Sequence, residues 1–141
     1  MIGQNNPLNI RTSPHFTWNG QTGSTRGFCN FESTRHGRRV GLYLLMRSYR
    51  RAGVKTIAEI IRRFAPPSEN NTSGYIKTVC RLTHFKANFQ PKETSDFCEI
   101  LAAMEIVENG AGSSHIDELM VQLTLEYLTV SQLFNVKPYE S

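Results

Sequence analysis

The chain has 141 residues, 39% of them apolar, with eight Phe and a single Trp, which is enough for one core but not for two large domains. No window approaches the roughly 20 apolar residues needed to span a bilayer, which excludes a helical membrane protein. The net charge of +4 hides a split: residues 1–90 carry 14 Lys/Arg against three acids, residues 91–141 two Lys against nine acids. A basic body of that kind calls for an anionic partner, such as nucleic acid, an acidic cell-wall polymer or a membrane surface. The division near residue 90 suggests a basic domain over 1–90 and an acidic C-terminal helical extension over 91–141, packed on it.

Met1–Asn6 lacks the basic segment and apolar run of a signal peptide, so synthesis as a soluble cytoplasmic chain is expected. Residues 5–27 are rich in Asn, Pro, Gly, Ser and Thr and read as a loop, pinned to the core by Ile10, Phe16 and Trp18. Phe16–Trp18, the Asn19-Gly20 turn signal and Phe28–Phe31 suggest a small antiparallel hairpin, although Gln21–Gly27 is long for a tight turn. Ser33 is a candidate N-cap for a helix over Thr34–Arg51. Leu42, Leu45, Met46 and Tyr49, widened by Val40 and Leu44, make that helix apolar over more than half its circumference, so it is expected in the middle of the domain. Glu32 then stands at the strand-to-helix corner, where a carboxylate can face a groove.

Gly53 is placed to end this helix in a left-handed cap. Thr56 and Glu59 have capping-box spacing ahead of Ile57, Ile60, Ile61 and Phe64, and Pro66-Pro67 stops that helix. Ser68–Thr72 is an exposed polar turn. A third helix carries Tyr75, Ile76, Val79 and Cys80, capped by Asn71 or Thr72. After a loop over 84–93 come a helix from about Ser95 to Glu108, a turn over Asn109–Ser113 and a last helix over His115–Val130. The fold expected is mainly α, with a small β-hairpin and a C-terminal helical pair.

The motifs Asn5-Asn6-Pro7-Leu8-Asn9-Ile10-Arg11, Trp18-Asn19-Gly20, Phe28–Ser33, Gly37 with Arg39, Thr56–Arg63, Ala65–Asn70, Thr72, Tyr75-Ile76 and Val79 occur in the order seen in a family of phages and prophages. Members of that family carry N-N-P-G-N-I-R, W-x-G, F-x-x-F-x-S and W-A-P-P-S-E-N-D runs, and the chain resembles it over residues 5–81. The departures are Leu8 for Gly, Phe64 for Trp and Asn71 for Asp. The resemblance implies a phage structural (virion) protein, similar to lysozyme-like peptidoglycan hydrolases. The layout is also similar to flagellar-type glucosaminidases, in which a Glu-bearing helix precedes an N-L-F-G-I-K stretch. On that alignment Asn9-Ile10-Arg11 takes the first place and Tyr75 the last. Only four residues precede Asn5, so no counterpart of that helix is expected upstream, and an acid is expected from within the matched region or not at all.

Cleaving a glycosidic bond needs a carboxylic acid to protonate the leaving oxygen. In residues 1–90 only Glu32, Glu59 and Glu69 are available. Glu59 reads as a solvated partner of Lys55, Arg62 and Arg63. Glu32, beside aromatic residues, and Glu69, in the polar turn, are the candidate acids, with Asn70 a candidate to bind substrate; for each Glu the leading alternative is a helix-start carboxylate favoured by the dipole. Asn6, Asn9 and Arg11 are candidates to bind N-acetyl or carboxylate groups, or else brace the loop. Trp18 and Tyr75 are candidates for the sugar groove, or else core.

The run Arg35-His36-Gly37-Arg38-Arg39, with Arg47, Arg50, Arg51, Arg62 and Arg63, offers phosphate contacts but alternates with core positions as on any solvated face. His15, His36, His84 and His115 form no metal-type pair, and Cys29, Cys80 and Cys98 read as buried thiols in a reducing compartment. No cofactor and no metal is expected. Three functions follow from these residues. The first is a phage-type glycosidase acting on peptidoglycan, made in the host cytoplasm and carried in the virion or released to the wall. The second is a virion-associated structural protein with the same fold and no catalysis, in contact with other virion proteins. The third is a basic nucleic-acid-binding accessory protein.

Overall fold

The computed structural model describes residues 1–110 and 114–134. Two antiparallel strands, β1 (Gln21–Thr25) and β2 (Phe28–Phe31), precede a series of helices: α1 (Thr34–Tyr43), a π segment (Leu44–Ser48), α2 (Tyr49–Arg51), α3 (Ile57–Phe64), α4 (Thr72–Thr83), α5 (Thr94–Asn109) and α6 (Ile116–Leu133). This is the mainly helical fold with a small hairpin that the periodicities predict. The expected Asn109–Ser113 turn lies partly outside the described residues.

The hairpin differs in its first strand. Arg26 and Gly27 both take positive φ, 52° and 82°, in a two-residue turn of the type that matches the twist of the flanking strands. Thr25 therefore faces Phe28, and the partner of β2 is Gln21–Thr25, not Phe16–Trp18. A register shift between Gln21 and Gly23 marks a bulge. The other edge of β2 is taken by the N-terminal loop: Cys29 N donates to Ile10 O at 2.9 Å, Phe31 N to Gln4 O at 2.9 Å, and Arg11 bridges Phe28.

Ser33 caps α1, accepting from His36 N, and Thr56 with Glu59 forms a complete capping box on α3. Asn71 caps α4, its side chain accepting from Gly74 N. Within the central helical run, Leu44–Ser48 is π-helical, and Tyr49 N bonds back to Leu44 O. On an α-helix two residues five apart point about 140° away from each other; the wider π turn brings them to one side, as often happens beside functional sites. Leu44 and Tyr49 meet in this way at the groove described below.

The middle of the molecule is α5. Phe97, Cys98, Ile100, Leu101, Ala102, Ala103, Met104, Glu105 and Ile106 are all buried there, packed against α1, α4 and α6. The Thr34–Arg51 helix flanks this axis instead of forming it. One buried cluster contains Leu8, Phe31, Leu42, Ile60, Val79, Leu101 and Tyr127, and so runs across residue 90 without a break. Its polar centre is Glu105, which accepts from Arg38 Nη2 at 2.8 Å, Arg38 Nε at 3.1 Å and the Tyr127 hydroxyl at 2.8 Å. Burial works against the Arg38 charge, but Glu105 outweighs it and leaves the guanidinium pKa raised. Arg38, one of the basic run, is thereby turned inward. Cys29 and Cys98 are buried and Cys80 half-buried, all three as free thiols. No helix among the described residues is long and apolar enough to cross a membrane.

Candidate functional site

A hollow of about 490 Å³ opens between the N-terminal loop, the hairpin, the π segment and the α3–α4 connection. Asn9, Arg11, Trp18, Glu69 and Asn70 all line it, although up to 61 positions separate them in the chain. Each is held there by local structure. Asn9 sits at φ 52°, a left-handed conformation that Asn tolerates better than most residues. Its side chain accepts from Ile2 N at 3.2 Å. Arg11 lies over the Phe28 ring at 4.7 Å. The Trp18–Gln21 turn is closed by Gln21 N donating to Trp18 O at 3.0 Å, and the half-buried Trp18 ring meets Phe16 and Tyr43 edge-on at 4.7 and 5.8 Å. After the two prolines, Glu69 N and Asn70 Nδ2 both donate to Pro66 O, at 3.0 and 3.2 Å, which fixes the turn that carries them.

A second hollow of about 470 Å³ adjoins the first, lined by Asn71, Gly74, Tyr75, Thr78 and Val107. Asn70 and Glu108 belong to both, so the two form one groove with those residues at its waist. Glu108 lies in the last turn of α5 and is half-buried. Asn9 Nδ2 donates to its carboxylate Oε1 at 3.1 Å and lies 3.4 Å from its carbonyl oxygen. The buried Tyr75 hydroxyl donates to Met104 O at 3.4 Å. Burial, followed by the neighbouring Glu108 charge, holds the Tyr75 pKa well above its ordinary value. Tyr49, also on the groove, is pushed up to about 12 by burial, partly offset by Arg63, whose guanidinium lies 5.9 Å over its ring.

Two of the expected site residues lie elsewhere. Asn6 is fully buried, and its amide is consumed by the fold: Nδ2 donates to Ile10 O and Cys29 O, both at 2.9 Å, and Oδ1 accepts from Ile10 N at 2.8 Å. It ties the loop to β2. Glu32 is exposed where β2 ends, its N–H donating to Gly20 O at 2.8 Å, and it is not among the groove residues. The corner directs its carboxylate to solvent because the inward positions around it belong to Phe31 and Gly37.

Sequence reasoning overlooked Glu108, Phe16, Tyr49 and Arg63, which share the groove. For Glu108 a signal exists. A carboxylate in the last turn of a helix faces the negative end of the dipole, and α5 has no basic residue in that turn to relieve it. Local rules broken in this way tend to mark functional positions.

Fold and groove together define a small, mainly helical protein with an open cleft of aromatic, amide and carboxylate groups. No family model matches the chain. Over 122 residues it is 32% identical to Protein P5 of Pseudoalteromonas phage PM2, covering 84% of this chain and 76% of that protein. The chain belongs to the phage protein family of Protein P5.

Proposed function

We propose that this is a virion-associated phage protein that holds the glycan strand of the bacterial cell wall in the groove. The observation that carries this reading is the convergence of Trp18, Asn9, Arg11, Asn70 and Glu69 on one cleft. Aromatic edges suit the faces of sugar rings, and amides suit N-acetyl groups. The guanidinium of Arg11 suits a lactyl or stem-peptide carboxylate. Each hollow has the size of an ordinary ligand cleft. The phage relative supports a phage origin; a place in the virion beside other virion proteins, after synthesis in the host cytoplasm, belongs to the proposal. A lysozyme-like arrangement is the finer reading of the fold, supported by a groove between helices and a hairpin with a helix-end glutamate at its waist. The test is co-sedimentation with purified sacculi. Trp18→Ala is expected to release the protein into the supernatant, while Glu32→Gln, remote from the groove, stays bound. Equal sedimentation of all three proteins would remove the groove from the explanation.

A second reading is that the bound strand is also cut, and the two carboxylates at one cleft favour it. The nucleic-acid reading has less support, because Arg38 is spent on Glu105 and Arg63 stands over Tyr49.

A further inference from the structure

Of the two groove carboxylates, Glu69 is exposed on a turn, whereas Glu108 is half-buried and oriented by neighbours from two other parts of the chain. Asn9 fixes one oxygen from the N-terminal loop, and Tyr75 faces it from α4. Its position matters as much as its restraint. Glu108 stands where the two hollows meet, so a polymer threaded through both has a sugar on either side and the linkage between them beside this carboxylate. The bond that an enzyme of this kind breaks is that linkage.

We infer that Glu108 is the proton donor of a glycan-cleaving site, an assignment that rests on the groove holding the glycan strand. The carboxylic acid gives its proton to the glycosidic oxygen. The bond from that oxygen to the anomeric carbon breaks, and its electron pair stays on the oxygen. The oxocarbenium-like carbon is captured by a hydroxyl oxygen, either of water or of the same sugar's own hydroxymethyl group. The proton lost by that hydroxyl returns to Glu108, which restores the acid. Capture by water leaves a reducing end, and internal capture leaves an anhydro ring.

The experiment uses the full chain and glycan strands stripped of their stem peptides, a polymer common to bacterial walls. Binding is read by retention on the immobilised strands, and cleavage by mass spectrometry of the released fragments. The expected result is that wild type binds and cleaves. Glu108→Gln, nearly isosteric and still able to accept from Asn9, binds equally and loses cleavage by about a hundredfold or more. Glu32→Gln, outside the groove, keeps wild-type cleavage. Glu108→Asp, which withdraws the acid by one methylene, gives an intermediate rate and serves where the Gln variant fails to fold. Wild-type cleavage by either Glu108 variant overturns the assignment. So does a wild type that binds and releases nothing, and in that case the binding reading survives. A wild type that is not retained at all overturns the binding reading and this inference with it.

Discussion

Asn6 and Asn9 differ little as letters in a sequence and greatly in their work. Asn6 spends its whole amide on Ile10 and Cys29, whereas Asn9 spends part of its amide on Glu108 and faces the groove. Asn6→Ala strands buried backbone groups, so a loss of about 1–3 kcal/mol in urea unfolding is expected. Breaking the Glu105 cluster costs more. Glu105→Ala leaves the half-buried Arg38 with Glu126, 3.9 Å away, as its carboxylate and strands the buried Tyr127 hydroxyl, so about 3 kcal/mol should be lost on the same assay. Cys98 and Tyr49 contribute to the alkaline limit. Burial raises both to about 12, from ordinary values of 9.0 and 10.0. Both are neutral in the folded state, so their contribution is complete below the unfolded values and is lost as pH rises through 9 to 12. Melting temperature should therefore fall across that window, and Cys98→Ala should show a shallower slope from about pH 9 upward.

At the scale of elements, the caps and stops were readable because they are local chemistry. Ser33, Thr56 with Glu59, Asn71 and Pro66 act on backbone groups within a few residues, and all occupy the expected roles. Thr56→Ala is expected to cost about 1 kcal/mol in stability. The hairpin was misread because a two-residue turn normally announces itself with Asn or Asp before Gly, and here Arg26 adopts the left-handed conformation. Gly37 shows packing overriding propensity. In a helix interior Ala normally gains about 1 kcal/mol over Gly, but a Cβ at Gly37 meets the Asn5 carbonyl, the Pro7 ring and the Phe31 ring. Gly37→Ala should thus lower the melting temperature and loosen the loop that carries Asn9. The π segment had no sequence signature, since Leu44–Ser48 continues an ordinary apolar helical pattern.

Across the whole molecule, the buried cluster extends from Leu8 to Val130. A single cooperative unfolding transition is therefore expected, with calorimetric and spectroscopic midpoints that coincide. The charge split has a testable consequence of its own. If the basic face assists retention on an anionic wall, the bound fraction on sacculi should fall as salt rises towards 0.5 M, where charges separated by more than about 5 Å are screened.

The amino-acid sequence by itself determined the helical class, most helix ends, the loop character of residues 5–27 outside the strand Gln21–Thr25, and six of the residues that share the groove. Each rests on local propensity or on short motifs. Only the tertiary structure decided that α5 is the axis of the core, that Asn6 and Glu32 stand apart from the groove, and that Glu108 meets Asn9 and Tyr75. The reason is distance along the chain. Glu108 lies 99 residues from Asn9, and its proximity follows from burying α5 among α1, α4 and α6, a result of packing that no periodicity records.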